Sequence, residues 1–314
     1  MEFLFAPLEG ITYSGYRTVH HSLFPGASEY FTPFIAPDSK GSFKTKYLKE
    51  LTAGVPSVPQ LLVNNPDAFN LTALKLHELG FREINLNAGC PSGTVYAKHK
   101  GAGMLRDLGS LDRTLEAVYE QAERTRYRIS IKTRMGDHST GEFPAILEVF
   151  RRYPVSRLIV HARCRDDYYK GETDLHGFRE AAEKCFCPLV YNGGIASALD
   201  LQRLLSVTEV NAVMIGRGAV GNPAIFRELQ GGTRLTAEEL QVFLDCLTEE
   251  WLRSGLSPDF TLERMKTLWP YMKDLFPNEG KRIRSILKAG KLEVYRAEVS
   301  ALLREYPGTL PSKA

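Results

Sequence analysis

The residue best placed for chemistry in this sequence is Cys90, which follows a short run of alternating polar and apolar residues. Residues 83–87 have the pattern of a strand, and the run ends at Gly89-Cys90-Pro91, where a glycine and a proline bracket the thiol. In folds of parallel strands and helices, chemistry lies at the carboxyl ends of the strands. Cys90 is therefore a candidate active-site residue, although a free cysteine often serves as a small buried hydrophobe instead.

Other polar residues and glycines stand at the ends of predicted strands in the same way. These residues are Pro7, Leu8, Gln60, Asn87, Lys132, Arg134, His161, Arg163, Asn192, Gly193, Gly194, Gly216 and Arg217. If the strands are parallel neighbours, these residues converge at one mouth. If a flavin were bound there, a fixed cation such as Lys132 beside its pyrimidine edge would stabilise the anionic reduced ring, and His161 could donate to a ring carbonyl or a phosphate. The alternatives are a solvated surface lysine and a structural histidine.

The glycine-rich segments after the last two predicted strands, 192–194 and 216–218, predict a phosphate site. Barrels commonly bind phosphate at these two positions through backbone N–H groups, and Arg217 adds a cation. Either segment alone would pass as an ordinary turn, but both at the expected strands favour an anion. No set of metal ligands is apparent, because the seven histidines lack the spacing of a metal motif.

Eight candidate strands alternate with helical patterns in the first part of the chain. The strands are 2–6, 28–32, 57–63, 83–87, 128–133, 157–161, 188–192 and 210–215. The helices with start signals are 68–79 after Pro66, 111–126 capped by Ser110, 198–205 capped by Ser197, and 224–229 after Pro223. This alternation over about 230 residues predicts an α/β fold of the (β/α)₈ TIM barrel type. A doubly wound open sheet is the alternative, and it is disfavoured because no G-x-G-x-x-G fingerprint follows the first strand.

Beyond residue 232 the strand pattern ends and helical signals replace it. Thr236 and Glu239 have the spacing of a capping box, and helices are predicted to about residue 306, with breaks near Ser254-Gly255 and Pro277-Asn278. We therefore predict two domains, a catalytic barrel over residues 1–232 and a small helical domain over residues 233–314.

Composition is ordinary for a soluble globular protein, with 43% hydrophobic and 25% charged residues among 314. No apolar run approaches a membrane span, and the N-terminus does not read as a secretory signal. Five cysteines without a framework pattern suit a reducing cytoplasm. The net charge of +3 is too small to indicate nucleic acid unless the charges are clustered.

Positive charge is in fact concentrated in residues 279–296, where six lysines and arginines stand against two acidic residues. Lys281, Arg284, Lys288 and Lys291 recur at spacings that predict one helix face, although Gly290 is a potential break before Lys291. Such a face suits a nucleic-acid backbone, and Arg264, Lys266 and Lys273 would extend it. A solvated basic face is the alternative.

Several segments, taken together and in order, resemble the tRNA-dihydrouridine synthases. They are Ala6-Pro-Leu-Glu-Gly10, Gln60, Asn85-Leu-Asn-Ala-Gly-Cys-Pro91, Lys132-Thr-Arg134, His161-Ala-Arg163, Asn192-Gly-Gly-Ile195 and Met214-Ile-Gly-Arg-Gly-Ala219. The resemblance covers residues 3 to about 229 and is weak in the helical tail. It implies an enzyme that reduces a uracil of tRNA to 5,6-dihydrouracil, with FMN as the cofactor and NADPH as the reductant of FMN.

The resemblance also implies roles for individual residues. Pro7 and Leu8 would lie against the isoalloxazine ring, Gln60 and Lys132 would bond its polar edge, and His161 would help to position it. The FMN phosphate would be held by Asn192, Gly193, Gly194, Gly216 and Arg217. Hydride would pass from flavin N5 to uracil C6, and Cys90, whose ordinary pKa of about 8.5 keeps the thiol neutral near pH 7, would protonate C5.

On the substrate side, the uracil must leave its stack to reach such a mouth. We expect tRNA contacts from Asn87, Arg134, Arg163, Lys98, Arg264, Lys266, Lys281, Arg284 and Lys288. Tyr13, Tyr16, Tyr168 and Tyr169 are candidates for stacking, and Lys98, His99 and Lys100 for a basic lid or a solvated loop. Apart from tRNA we expect no obligate partner, no membrane and a monomer.

Two other functions are consistent with parts of the pattern. A flavin barrel enzyme acting on a small molecule, as in dihydroorotate or enoate reduction, explains the phosphate loops but leaves the basic tail without a role. The other is an RNA-binding or chaperone-like protein that kept the scaffold and lost turnover. If Cys90→Ala retained its flavin and lost activity, the result would support the tRNA uracil reductase over the RNA-binding protein without turnover.

Overall fold

The computed structural model describes residues 1–44, 46–51, 54–125 and 127–311, and its strands are all parallel. The strands are β1 (Glu2–Phe5), β2 (Glu29–Phe31), β3 (Ser57–Val58), β4 (Gln60–Leu61), β5 (Glu83–Ala88), β6 (Arg128–Arg134), β7 (Leu158–His161), β8 (Leu189–Asn192) and β9 (Ala212–Ile215). They form one sheet in the order β3-β2-β1-β9-β8-β7-β6-β5-β4. All eight predicted strands are confirmed, and one of them is present in two pieces.

The divided strand closes the sheet into a barrel. Only Pro59 separates β3 from β4, and because proline has no backbone N–H to donate, the hydrogen-bond ladder is interrupted there. β3 pairs with β2 and β4 pairs with β5, so the two pieces of one strand join the two ends of the sheet. The predicted (β/α)₈ barrel is therefore confirmed.

Helices cross between the strands on the outside of the barrel. They are α1 (Ser14–Leu23), α2 (Lys46–Leu51), α3 (Pro66–Glu78), α4 (Gly93–Tyr96), α5 (Leu108–Thr125), α6 (Phe143–Phe150), α7 (Leu175–Lys184), α8 (Ala198–Val207), α9 (Arg217–Gly221) and α10 (Ile225–Leu229). Short 3₁₀ turns occupy Gly101–Arg106 and Thr140–Glu142. Asn65 caps α3 by accepting from the backbone of Ala68, and Ser197 caps α8 as predicted.

The predicted cap of α5 was wrong. The helix begins at Leu108, and the Asp107 carboxylate accepts a hydrogen bond of 3.0 Å from the backbone N–H of Ser110. Both residues favour caps, but Asp107 stands three residues earlier and its backbone carbonyl already accepts from Leu111. The predicted last residue of this helix, 126, lies outside the described residues.

The chain after the barrel is helical, as predicted. It forms α11 (Ala237–Arg253), α12 (Pro258–Lys266), α13 (Trp269–Met272), α14 (Gly280–Lys288) and α15 (Leu292–Leu303), with a 3₁₀ turn at Lys273–Leu275. The Thr236 and Glu239 capping box is present, and α11 ends before the predicted break at Ser254-Gly255. Residues 312–314 of the predicted helical domain lie outside the described residues, and the boundary at residue 232 stays a prediction.

The prediction that Lys281, Arg284, Lys288 and Lys291 share one helix face was wrong in part. α14 ends at Lys288, and Lys291 lies at the start of α15 rather than on the same helix. The physical reason is Gly290, which favours a break between the two helices. Lys281, Arg284 and Lys288 do share α14 and are exposed.

The helical tail packs directly on the barrel. α11 lies against α1, and a Cβ placed on Gly15 would lie 3.0 Å from the indole of the buried Trp251. Inside the barrel, Leu4, Phe31 and Ile159 belong to a separate buried cluster. Among the described residues, no helix combines the length and apolarity that crossing a membrane requires.

The cap of α5 gives a prediction for stability. Asp107→Ala should lower the free energy of unfolding by about 1 kcal/mol, because an orphan N–H loses its acceptor. Asp107→Asn should retain most of the stability, and Ser110→Ala should change it little. Chemical denaturation followed by circular dichroism measures all three, and a larger loss for Ser110→Ala would return the cap to Ser110.

Candidate active site

A cavity of about 1190 Å³ opens at the carboxyl ends of the barrel strands. All thirteen strand-end residues singled out from the sequence line it, and so does Cys90. The structure therefore brings together the residues that the sequence placed on seven different strand ends, because parallel strands in a closed barrel share one carboxyl face.

A ladder of side-chain amides fixes the floor of the cavity. Asn87 donates to the Gln60 side chain at 2.7 Å, Gln60 donates to Asn85 at 2.8 Å, and Asn85 donates to the Ser130 hydroxyl at 2.9 Å. The side-chain oxygen of Asn87 accepts from the backbone N–H of Cys90 at 2.9 Å. The ladder therefore sets both the floor and the position of the cysteine.

The Cys90 thiol is half-buried and is held as a neutral acid. Burial raises the pKa of the thiol, and the nearby cations Arg134 and Lys132 oppose that rise only in part. The loop that follows packs closely on it, since a Cβ on Gly101 would lie 2.9 Å from the Cβ of Cys90. Gly101 has a φ of +57°, so glycine is favoured there for both reasons.

Arg134 joins the loop after β5 to the loop after β7. Its guanidinium donates to the carbonyl oxygens of Gly89 at 2.9 Å, Cys164 at 2.8 Å and Tyr168 at 2.6 Å. It also lies 5.3 Å from the centre of the Tyr169 ring. Its predicted contact with substrate stays a prediction, and these bonds show that it also holds the backbone on both sides of the mouth.

Three basic groups that line the cavity have no ion-pair partner among the described residues. Burial lowers the pKa of Lys132 to about 7, and Arg134 adds to the effect. Arg163 is buried, and its Nε has no partner in the part of the chain that the structure describes. Arg217 is exposed at the rim, 4.8 Å from the Tyr169 ring centre. An anion in this cavity would relieve the electrostatic cost of holding these groups together.

His161 is a neutral donor toward the same space. Burial lowers its pKa well below the ordinary value, and Arg134, Lys132, Arg163 and Arg217 lower it further. Arg163 donates to Nε2 of the ring at 3.0 Å, so the proton of the neutral ring is on Nδ1. The ring can therefore donate through Nδ1 but cannot accept there.

Glycines after β8 and β9 leave room that a side chain would fill. A Cβ on Gly193, whose φ is +133°, would lie 3.0 Å from the His161 ring, and one on Gly216 would lie 3.2 Å from Leu8. Asn192 holds this edge by donating to the carbonyl of Met214 at 2.8 Å. The room at these glycines fits a flavin phosphate, and the Lys132 amine fits an anionic flavin ring. The Arg163 Nε, which has no partner among the described residues, could donate to either anion.

The four tyrosines predicted as stacking candidates lie in three different places in the structure. Tyr168 and Tyr169 line the cavity and are exposed, as expected for candidates. Tyr16 was a wrong candidate, because its side chain is fully buried and stacks on His20 in the core. Tyr13 lies outside the lining residues and contacts Arg264.

Of the basic residues predicted to contact substrate, Arg134 and Arg163 line this cavity and the others lie outside it. Lys98 is exposed, and its carbonyl accepts from Asn64. Lys266 is paired with Glu263 at 3.1 Å, whereas Arg264 has no ion-pair partner among the described residues. The α14 cations lie on the helical tail.

Sequence reasoning missed one wall of the cavity. Pro270, Tyr271, Asp274 and Leu275 of the helical tail line it, opposite the barrel loops. The one sequence feature related to this wall is Gly221. A Cβ there would lie 2.8 Å from the Tyr271 carbonyl, so the glycine allows the tail to approach closely.

A carboxylate cluster also forms beside the mouth. Asp137, His138 and Asp166 have potential ligand atoms within 4.8 Å of one another. Asp137 accepts from the Tyr96 hydroxyl at 2.7 Å, and His138 pairs with Asp166 at 2.7 Å. These contacts tie the loop after Cys90 to the loop after β6.

Comparisons with known proteins identify the family of the chain and proteins that share its fold. The family model for "Dihydrouridine synthase (Dus)" matches residues 4–257. The tRNA-dihydrouridine synthase B of Pseudomonas putida is 28% identical over 241 residues, covering 76% of this chain and 70% of that protein. The tRNA-dihydrouridine(16) synthase of Shewanella oneidensis is 26% identical over 297 residues, covering 91% and 93%. The old yellow enzyme homologue from Zymomonas mobilis shares the fold, with a TM-score of 0.55 at 13% identity, over 75% of this chain and 90% of that one.

The Lys132 amine gives a prediction for pH dependence in the flavin-free protein. Between about pH 7 and the ordinary lysine pKa, the unfolded chain holds a proton that the folded chain lacks, so the free energy of unfolding should rise with pH. The rise is about 1.4 kcal/mol for each unit of pKa difference. Lys132→Met should remove it.

Urea denaturation at a series of pH values measures this slope. Lys184→Met, at an exposed lysine before β8, is the matched control and should keep the wild-type slope. An equal slope in Lys132→Met and wild type would contradict the assignment.

Proposed function

The chain belongs to the dihydrouridine synthase family, and from that premise we propose that it reduces a uridine of tRNA to 5,6-dihydrouridine. The flavin is FMN and the reductant is NADPH in this proposal. The observation that carries it is the meeting around one cavity of Cys90, a neutral thiol, with the basic groups Lys132, Arg163 and Arg217, for which the described residues offer no ion-pair partner. A thiol acid on one side of the cavity suits a uracil that is to be protonated. Basic groups on the other side suit an anionic redox cofactor.

The residues that would hold FMN are those already placed around the cavity. Gly193, Gly216 and Arg217 would offer backbone room and charge to the phosphate, and Lys132 and Gln60 would bond the polar edge of the ring. His161 would donate through Nδ1. The chemistry that the reduced flavin supplies when bound is a hydride for C6 of the uracil.

Cys90 provides the proton in this proposal. Its raised pKa keeps the proton on sulfur near neutral pH, and general acids act best when they are both protonated and close in pKa to the working pH. Asn87 and Gly101 fix the thiol at the cavity wall, so the proton is delivered to C5 from a set position. Asn87 also lines the cavity and would contact the uracil.

The basic face of α14 would hold the tRNA backbone. Lys281, Arg284 and Lys288 are exposed and have no ion-pair partner among the described residues. By contrast, Arg282 pairs with Glu279 and Glu305, so it contributes less free charge. A face of unpaired cations on one helix suits phosphate contacts that position a folded RNA.

The proposal is tested by mass spectrometry of nucleosides from unmodified tRNA incubated with the protein and NADPH. The wild type should add two hydrogens to a uridine, and Cys90→Ala should keep its flavin but lose turnover by roughly 10²-fold to 10⁴-fold, because the general acid is gone. Cys246→Ala, at an exposed cysteine outside the cavity, is the control. Equal turnover in Cys90→Ala and wild type would remove the acid role.

Charge reversal on α14 should weaken tRNA binding and leave the flavin in place. Lys281→Glu, Arg284→Glu and Lys288→Glu together should reduce the slope of log affinity against log salt by up to about three, since fewer counterions are released. Filter binding at several salt concentrations measures this. Lys184→Glu is the control, because Lys184 precedes β8 and so lies at the end of the barrel away from the cavity. An unchanged salt slope in the triple variant would rule out the α14 face.

A further inference from the structure

The most exposed large hydrophobic side chain in the described part of the chain is Phe260, at 72% exposure. It lies in the first turn of α12, which is held by two start signals. Pro258 occupies the first turn, and the Ser257 hydroxyl accepts from the Phe260 backbone N–H at 3.3 Å. The ring is therefore presented to solvent from a well-defined helix start, rather than from a loop.

Arg264 follows Phe260 by four residues, so the two side chains are neighbours on one helix face. Its guanidinium lies 4.7 Å from the ring centre of Tyr13 and 5.5 Å from that of Trp251. The two aromatic rings hold the guanidinium through cation–π contacts. Its N–H donors have no acceptor among the described residues, so they are available to a ligand.

This helix face lies beside the entrance to the active site. Tyr13 belongs to the loop between β1 and α1, and its hydroxyl donates to Glu9 at 3.2 Å. Glu9 in turn lines the cavity. Because Trp251 is packed against Gly15 at the start of α1, the position of Arg264 relative to the mouth is fixed by contacts on both sides.

We propose that Phe260 and Arg264 form a stacking site for an unpaired RNA base next to the nucleotide held in the cavity. The inference rests on the function proposed above and deepens it. An exposed aromatic ring beside a planar cation is how proteins bind unstacked bases, with the ring on the base face and the guanidinium on the base edge or the phosphate. A uridine drawn out of its stack leaves its neighbours with an uncovered face, and Phe260 would cover one of them.

The surroundings do not form an apolar interface for a protein partner. Protein interfaces use contiguous apolar patches, whereas Phe260 has the exposed Asp259 and Glu263 beside it on the helix, and pairing with Lys266 at 3.1 Å offsets the negative charge of Glu263. A single aromatic ring among charged residues suits one base rather than an apolar protein surface.

The test compares Phe260→Ala with Phe260→Trp, using unmodified tRNA. Phe260→Ala should raise both the Kd for tRNA and the KM for dihydrouridine formation by roughly 5-fold to 150-fold, because one base loses its stacking partner. Phe260→Trp should stay near wild type, since the indole also stacks. The kcat at saturating tRNA and the bound flavin should not change in either. Val294→Ala, at another exposed apolar residue of the helical tail, is the matched control.

Three outcomes would overturn the stacking site. They are equal Kd values for Phe260→Ala and wild type, an equal loss in the Ala and Trp variants, and a wild-type dimer in sedimentation that Phe260→Ala dissociates. The two proposals fail in different ways. Absence of dihydrouridine from the wild-type reaction contradicts the proposed function, whereas an active wild type with an equally tight Phe260→Ala variant contradicts only the stacking site.

Discussion

The hydrogen bonds of Arg134 are the interaction on which the site most depends. One buried guanidinium donates to three backbone carbonyls, one in the loop after β5 and two in the loop after β7. The first loop carries Cys90, and the second carries Arg163 and Tyr169. Charge-assisted bonds of this kind are about twice as strong as neutral ones, and their fixed fork geometry sets directions as well as distances. Cys90 on one side of the cavity and Arg163 and Tyr169 on the other are thus positioned by a common anchor. A loop that moved alone would leave a buried donor without its acceptor.

Much of the fold was predictable, because the signals are local. Alternation, glycine and proline mark the eight strands, and parallel strands of a barrel place all their carboxyl ends on one face, so Lys132 and Arg217 were expected to meet. The division of one strand at Pro59 was not expected, since it depends on which neighbours pair with each half. The choice of Asp107 over Ser110 as a cap is also a competition between two good residues that sequence alone does not decide.

What the sequence hid were contacts between distant segments. Arg282 belongs to the basic run by sequence, yet its partner Glu305 lies in a later part of the chain and reduces its free charge. The cavity wall formed by Tyr271 and Leu275 comes from the helical tail, where no motif marks it. Tyr16 has the sequence context of a mouth residue but is in the core, because α1 turns that face toward Phe243 of α11.

The register of the first strand has a consequence for how the protein is made. β1 pairs with β9, so Glu2 lies opposite Ala212, a partner that the ribosome adds about 210 residues later. Contacts of such high sequence separation form late and close the largest loops. Pro7 and Leu8 reach the loops after β8 and β9 only when that pairing forms. In a nascent chain the cavity would therefore stay open on this side until the last barrel strand emerges, and its remaining wall would be added only with the helical tail.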